Sequence, residues 1–217
     1  MTVSTAFLAC RCGRCRIDLL DPTPRCRCQC FCWDCRQRAL IAAARNPEQA
    51  LPQAVQAYRR GVDLYYFTNV LRVDAASRAL LEFSRLREDA ANTTAMSRCC
   101  ATLMCGTHPV YGGTTISVNA DSCRITIPEG MPNQVYIFGA DVPPEKFAQL
   151  ELEPGVPMIR SFFDEIDTPP AVSFLAAVTA PVPAGFTGDD LTTFERLRGH
   201  DPLPVDNRFF NESRSGA

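Results

Sequence analysis

The pattern of hydrophobic and polar positions changes near residue 140. Before that point, short runs rich in β-branched and aromatic residues alternate with turn residues, which is typical of β-strands. The runs are VSTAFLA (3–9), RCRIDLL (14–20), AVQAYR, DLYYFTN, LRVD, LLEFSRLR, TTAMSRC, TTISVNA, CRITI and QVYIFGA. The pattern therefore predicts a mainly β domain over residues 1–140, built mostly from antiparallel strands.

Helical patterns are fewer and shorter. WDCRQRALIAAARN predicts a short helix that ends before Pro47, with Asp34 as its cap. Ten of the 17 prolines lie beyond residue 140, where KFAQL and LTTFERLRG have helical character and Asp189 or Asp190 is the candidate N-cap. Residues 141–217 are therefore predicted to form a proline-rich, partly helical C-terminal extension that packs on the core and ends in a loose tail.

Charge and hydropathy narrow the possible partners. The formal net charge is -2, so the chain lacks the basic surface that binding to nucleic acid or an anionic membrane requires. No apolar run approaches the roughly 20 residues of a membrane helix, and the start MTVSTAFLAC lacks a basic leader. We therefore expect a cytoplasmic protein whose thiols stay reduced.

The chain has 12 cysteines, and they are unevenly distributed. Eight lie between Cys10 and Cys35, three form a group at Cys99, Cys100 and Cys105, and Cys123 is alone. A disulfide framework is disfavoured without an export signal, and C-x-C pairs rarely reach disulfide geometry. Buried, inert thiols are an adequate interpretation of Cys123 and Cys105. They do not explain eight cysteines interleaved with arginine, glutamine and aspartate.

Metal binding explains the clustered cysteines best. Cys10 and Cys12 form a proximal pair, and Gly13 permits the tight turn after them. Zinc takes four ligands, and thiolates are its usual structural donors. A second segment, C-F-C-W-D-C (30–35), supplies three donors from Cys30, Cys32 and Cys35. Three protein donors leave one position open, as in a catalytic zinc site. An iron–sulfur cluster is a weaker alternative, because the spacing differs from the common ferredoxin runs.

The three-part cysteine layout resembles the CENP-V/GFA family, whose founding activity is glutathione-dependent formaldehyde activation. The matching motifs are C-R-C-G (10–13), C-F-C-W-D-C-R (30–36) and C-C-A-T (99–102), and AYRRGVDLYYFTN is similar to the central strand pair of the family. The resemblance covers residues 8–128. It departs from the family at the late pair, which is usually C-x-x-C-G, because Ser97 stands three residues before Cys100. Cys105 is then an alternative to Cys99, and Phe31 stands where histidine is common.

The resemblance implies an Mss4-like β-tent of antiparallel sheets pinned by zinc. Cys10 and Cys12 would join Cys99 and Cys100 in a closed structural zinc site. Cys30, Cys32 and Cys35 would hold a second, catalytic zinc. Cys15, Cys26 and Cys28 are additional to the motif.

The implied activity is that of a carbon–sulfur lyase, or of an enzyme that forms thiol adducts with glutathione or another small thiol conjugate. His108 is a candidate acid–base residue, and Arg36 a candidate ligand for a substrate carboxylate. Two other classes compete with this enzyme: a nonenzymatic zinc-stabilised binding scaffold, and a thiol redox-responsive protein that uses Cys26 and Cys28. A homodimer is compatible with each of them.

Overall fold

Two β-sheets form the framework of the protein. The structure is a computed structural model that describes residues 6–46, 48, 52–127, 130–186, 188–199 and 205. The small sheet contains β1 (Ala6–Ala9), β2 (Arg16–Leu19), β5 (Leu71–Arg72) and β10 (Arg124–Thr126), in the spatial order β10-β1-β2-β5. All of its strand pairs are antiparallel.

The large sheet has eight strands. They are β3 (Cys26–Cys30), β4 (Val62–Thr68), β6 (Leu81–Ser84), β7 (Thr93–Ser97), β8 (Leu103–Thr107), β9 (Thr115–Asn119), β11 (Val135–Ile137) and β12 (Met158–Ile159). Their order is β12-β11-β3-β4-β9-β8-β7-β6. Strand β11 runs parallel to both β3 and β12, and the other pairs are antiparallel. The mainly β prediction is confirmed. The sequence pattern did not reveal the parallel pairing of β11 with β3 and β12 at one edge of the sheet.

The helices are short, and most lie in the last third of the chain. They are α1 (Trp33–Arg45), α2 (Gln53–Gln56), α3 (Ala75–Ala79), α4 (Pro144–Phe147), α5 (Phe162–Glu165), α6 (Pro169–Thr179) and α7 (Phe194–Arg198). Pro109–Tyr111 and Gly139–Asp141 each form a 3-10 turn. None of the helices in the described ranges has the length and apolar character needed to cross a membrane.

The large sheet is buried on both faces, and β4 shows this most clearly. Tyr65 and Phe67 face a core shared with the small sheet, whereas Leu64 and Tyr66 face a second core that is covered by α6. Neighbouring strand residues point to opposite faces, so a strand that is covered on both sides is apolar at nearly every position. The run LYYF in β4 has this character.

Residues beyond 140 contribute to both cores. Phe174 and Val178 of α6 pack against β3 and β4, and the fully buried Phe194 of α7 packs in the core between the sheets. Strand β12 extends the large sheet beyond β11. The tail NRFFNESRSGA (207–217), which the sequence predicts to be loose, lies outside the described residues.

Three local predictions are wrong. AVQAYR is not a strand, since α2 occupies Gln53–Gln56 and Pro52 is its N-cap. A short apolar run fits the periodicity of a strand as well as that of a helix, so the sequence pattern did not distinguish the two. Asp34 is not the cap of α1, since Cys32 is the N-cap and Asp34 lies in the first turn. Neither Asp189 nor Asp190 caps α7, because the Thr193 side chain accepts the Arg196 amide instead.

Candidate metal centres

Four cysteines from two distant segments meet at one point. The Sγ atoms of Cys10, Cys12, Cys99 and Cys100 all lie within 4.8 Å of one another. The Sγ distances are 3.4 Å for Cys10–Cys12, 3.6 Å for Cys10–Cys99, 3.4 Å for Cys12–Cys99 and 4.0 Å for Cys99–Cys100. Zn–S bonds of about 2.3 Å in a tetrahedron place the sulfurs about 3.8 Å apart. The four-cysteine cluster therefore fits one tetrahedral metal ion.

Two turns present these thiols. Cys10 and Cys12 follow β1, and Gly13 takes a positive φ of 78° to reverse the chain toward β2. The Cys15 amide donates to Cys10 Sγ at 3.2 Å, a contact that orients a thiolate ligand. Cys99 and Cys100 lie in the turn between β7 and β8, where Ala101 adopts a left-handed φ of 50°. The four-cysteine cluster thus joins the small sheet to the large sheet.

The environment of Cys100 favours a thiolate. Burial raises its pKa, but hydrogen bonds outweigh this effect and lower the pKa from 9.0 to about 5. Ser97 Oγ lies 3.4 Å and Thr102 Oγ1 3.1 Å from Cys100 Sγ. Ser97, three residues before Cys100, therefore contacts the cluster through its hydroxyl group. Cys105 is buried in the core between the sheets, and the cluster contains Cys99 in its place.

A second cluster lies where β3 passes into α1. The Sγ atoms of Cys30, Cys32 and Cys35 lie within 4.8 Å of one another. The Cys32 amide donates to Cys30 Sγ at 3.4 Å, and the Cys35 amide donates to Cys32 Sγ at 3.3 Å. Gly61 allows the close approach of the next segment, because a Cβ there would lie 2.9 Å from the Cys30 backbone. This three-cysteine cluster offers three preoriented donors.

Charge around the three-cysteine cluster favours an anionic sulfur. Hydrogen bonds from Cys30 and Cys32, followed by the charge of Arg38, hold the pKa of Cys35 well below its usual range. Cys35 also lies in the first turn of α1, where the helix dipole stabilises negative charge. The pKa values of Cys30 and Cys32 are raised well above the usual value, so Cys35 is the thiol of the cluster that favours the anionic form, and metal binding would release the protons of the other two.

The side chains around the three-cysteine cluster come from several parts of the chain. Asp141 accepts the Trp33 amide at 3.0 Å, and its pKa is raised by burial and by the charges of Asp34 and Cys35. Burial raises the pKa of Tyr111, and negative charge on the cysteines of the cluster raises it further. Tyr111 therefore lies close to the cluster. Sequence reasoning missed Asp141, because more than a hundred residues separate it from Cys35 and no motif marks it.

Arg36 and His108, predicted from the sequence as catalytic candidates, have different surroundings. The Arg36 guanidinium donates to the carbonyl oxygens of Val55 and Gln56, and it lies 3.7 Å from the ring centroid of Tyr58. Tyr58 has a positive φ of 55°, a strained conformation of the kind that is common near functional sites.

His108 packs against Tyr111, with ring centroids 5.8 Å apart. It therefore lies on the side of the three-cysteine cluster, although Cys99 and Cys100 are nearer in sequence. His200, the other histidine, lies outside the described residues.

The remaining cysteines are buried in the two cores. Cys26 and Cys28 lie on one face of β3, and Cys28 Sγ is 3.9 Å from Tyr66 Oη. Burial raises the pKa of Cys26 to about 12 and that of Cys28 well above its usual value. Burial likewise raises the pKa of Cys15 and Cys123 to about 12. These thiols have the inert character of small hydrophobic residues.

Comparison with known proteins identifies no relative: no family model, no curated protein and no solved structure matches the chain.

Proposed function

We propose that the chain is a zinc-dependent enzyme of the CENP-V/GFA type that forms or cleaves a carbon–sulfur bond in a small thiol conjugate. The observation that carries this proposal is the three-cysteine cluster, whose thiols converge within 4.8 Å with three donors rather than four. The fold would be an Mss4-like β-tent. The four-cysteine cluster between the two sheets supports this assignment, because such a fold is pinned at the junction of its sheets.

The two clusters would have different tasks. The four-cysteine cluster has a complete donor set for one zinc, so we assign it a structural role. When bound by the three-cysteine cluster, zinc would supply a Lewis acid that holds the sulfur of a glutathione-like substrate as a thiolate. The cluster thiols would act as ligands and not as covalent nucleophiles. The amides of Cys32 and Cys35 would keep the donors oriented.

His108 would handle a proton in its neutral form. Its Nδ1 accepts the Val110 amide at 3.1 Å, which leaves the proton on Nε2. Burial and the nearby charge of Arg38 lower its pKa, so the imidazole is neutral at pH 7. In this form Nε2–H can donate to an oxygen that gains negative charge on a substrate carbonyl.

Arg36 would serve as a positioning residue. Two backbone carbonyls of the α2 segment and the Tyr58 ring occupy its guanidinium. These contacts hold the α2 segment against the first turn of α1. A direct contact between Arg36 and a substrate carboxylate would require these hydrogen bonds to break.

A nonenzymatic zinc scaffold is the second candidate, and the complete four-cysteine cluster favours it. In that case both clusters would hold metal only to stabilise the fold. The redox-responsive alternative is disfavoured, because Cys26 and Cys28 are buried and their raised pKa keeps them in the unreactive thiol form.

The test follows adduct formation between a small thiol and formaldehyde by NMR, using zinc-loaded protein. We expect the parent protein to accelerate the approach to equilibrium and Cys32→Ser to abolish the acceleration. Cys123→Ala is the matched control, because it removes a buried thiol from the other core and should retain activity. Equal rates for the parent protein, Cys32→Ser and a protein-free sample would favour the scaffold.

A further inference from the structure

A turn after β11 carries Asp141 to the N-terminus of α1. Strand β11 runs parallel to β3 with Ile137 opposite Cys30, so the chain beyond β11 continues beside the three-cysteine cluster. Phe138 adopts a left-handed φ of 59°, which leads the chain into the 3-10 turn Gly139–Asp141. A bulky residue rarely takes this conformation, and such strain is common at functional sites. The turn is therefore a candidate part of the site around the cluster.

The carboxylate of Asp141 lies at the same end of α1 as the sulfur of Cys32. Asp141 Oδ2 accepts the Trp33 amide at 3.0 Å, and Cys32 Sγ accepts the Cys35 amide at 3.3 Å. The first N–H groups of a helix point in the same direction along its axis, so both acceptors occupy the N-terminal end of the helix. The effect of the Cys35 charge on the pKa of Asp141 agrees with this placement.

One carboxylate oxygen of Asp141 remains for a ligand. Within the described residues, the carboxylate accepts the Trp33 amide and forms no ion pair with a cation. Asp34, a second carboxylate near the cluster, is held by Arg87 at 2.7 Å. Packing shields Asp141 from part of the solvent, but the residue as a whole is exposed, so a small molecule can reach it. Asp141 lies outside the convergent donor set of three cysteines, which places its free oxygen toward a bound substrate rather than a metal ion.

We propose that Asp141 is a further catalytic residue, whose free carboxylate oxygen accepts the hydroxyl hydrogen of an S-hydroxyalkyl conjugate bound at the three-cysteine cluster. When the conjugate is cleaved, the hydroxyl proton moves to Asp141 and the O–H electron pair forms the second bond of the carbonyl group. The C–S bond breaks, and its electron pair leaves on the sulfur as a thiolate. Adduct formation is the reverse, so Asp141 then returns the proton to the oxygen. This inference rests on the proposed function, because it requires a thiol conjugate at the cluster.

A binding experiment tests the hydroxyl contact without turnover. 2-Mercaptoethanol and 1-propanethiol, which carry a hydroxyl and a methyl group at the same position, are titrated into the zinc-loaded protein, and their affinities are measured by calorimetry. Asp141→Ala should weaken the binding of 2-mercaptoethanol about tenfold, the range of a hydrogen bond to a charged group, and leave that of 1-propanethiol unchanged. Asp164→Ala removes an exposed carboxylate of α5 and is the matched control, which should change neither affinity.

A rate experiment tests the proton transfer. Asp141→Asn keeps an oxygen for the Trp33 amide but removes the base. We expect it to slow adduct formation between a small thiol and formaldehyde about 100-fold, at the lower end of general acid–base catalysis. Formate should restore part of the rate in Asp141→Ala by supplying a carboxylate, a response that a purely structural role of Asp141 would not produce. Zinc content and circular dichroism establish that each variant is folded, and Asp141→Asn is titrated with both thiols if Asp141→Ala does not fold.

An unchanged affinity for 2-mercaptoethanol in Asp141→Ala, or an unchanged rate in Asp141→Asn, would overturn the inference and leave the proposed function intact. If the parent protein binds neither thiol and does not accelerate adduct formation, or if Cys32→Ser matches the parent protein in both experiments, the proposed function fails and the role of Asp141 fails with it.

Discussion

The Sγ atoms of Cys10 and Cys99 lie 3.6 Å apart, although 89 residues separate them in the chain. Cys10 follows β1 of the small sheet, and Cys99 follows β7 of the large sheet. A metal ion held between them connects the two sheets directly. Because such a site does not exist in the unfolded chain, the free energy of metal binding becomes free energy of folding.

Loss of one ligand from the four-cysteine cluster should therefore destabilise the whole fold. We expect Cys12→Ser to lose one metal ion per chain and at least about 3 kcal/mol of unfolding free energy, a fraction of the roughly 10 kcal/mol available from a structural zinc. Chemical denaturation with elemental analysis measures both quantities. Cys15→Ala is the matched control, because Cys15 lies beside the cluster without belonging to it. A Cys12→Ser variant that keeps its metal and its stability would contradict the structural role.

The neutral form of His108 should be visible by NMR. We expect its imidazole pKa to lie below 6.5, because burial disfavours the charged form and Arg38 repels it. Arg38→Gln should raise this pKa, and Arg78→Gln should leave it unchanged. The His108→Asn variant lacks this imidazole and therefore identifies which NMR signal belongs to His108. A His108 pKa above 6.5, or one that does not respond to Arg38→Gln, would contradict the burial of His108 and its proximity to Arg38.

The same lowered pKa of His108 predicts how stability depends on pH. Its folded-state value is below that of the unfolded chain, so the unfolded state binds the proton more readily. The stabilising contribution is therefore present above pH about 6.5 and is lost as the pH falls through the folded-state pKa. Urea denaturation across this range should show that the parent protein loses more stability on acidification than His108→Asn. Identical losses in the two proteins would contradict this assignment.

The region beyond residue 140 should be essential for stability. Phe194 is fully buried and packs edge-on against Phe83 with ring centroids 5.4 Å apart. Phe194→Ala should therefore cost roughly 3–5 kcal/mol of unfolding free energy, as measured by chemical denaturation. Phe163→Ala is the control, since Phe163 is 97% exposed and should change stability by no more than about 0.5 kcal/mol. Equal effects of the two substitutions would mean that α7 does not complete the core.

Local sequence patterns predicted the features that depend on neighbouring residues. The runs VSTAFLA (3–9) and RCRIDLL (14–20) indicated strands, and β1 and β2 lie within them. The helix after Trp33 ends at Arg45, before Pro47 as predicted. The spacing within C-R-C-G and C-F-C-W-D-C marked these two segments as potential metal donors, because thiolate spacing is itself a local signal. The meeting of Cys10 and Cys12 with Cys99 and Cys100 was expected only from the family resemblance.

Features that depend on long-range packing were not predictable in this way. The parallel pairing of β11 with β3 joins segments more than a hundred residues apart, and no strand motif specifies which edge is free. Asp141 has no distinctive neighbours in sequence, and its relation to Cys35 arises only when distant parts of the chain assemble. AVQAYR was mistaken for a strand because four to six apolar-rich residues satisfy both periodicities.

The most direct test of the account is the number of zinc ions per chain, measured by elemental analysis of reduced, anaerobically purified protein. We expect two zinc ions in the parent protein and one in a folded Cys32→Ser variant, because the four-cysteine and three-cysteine clusters are separate sites. One zinc in both proteins would contradict the open catalytic site and favour the scaffold. No zinc in either would contradict the metal-centred account as a whole.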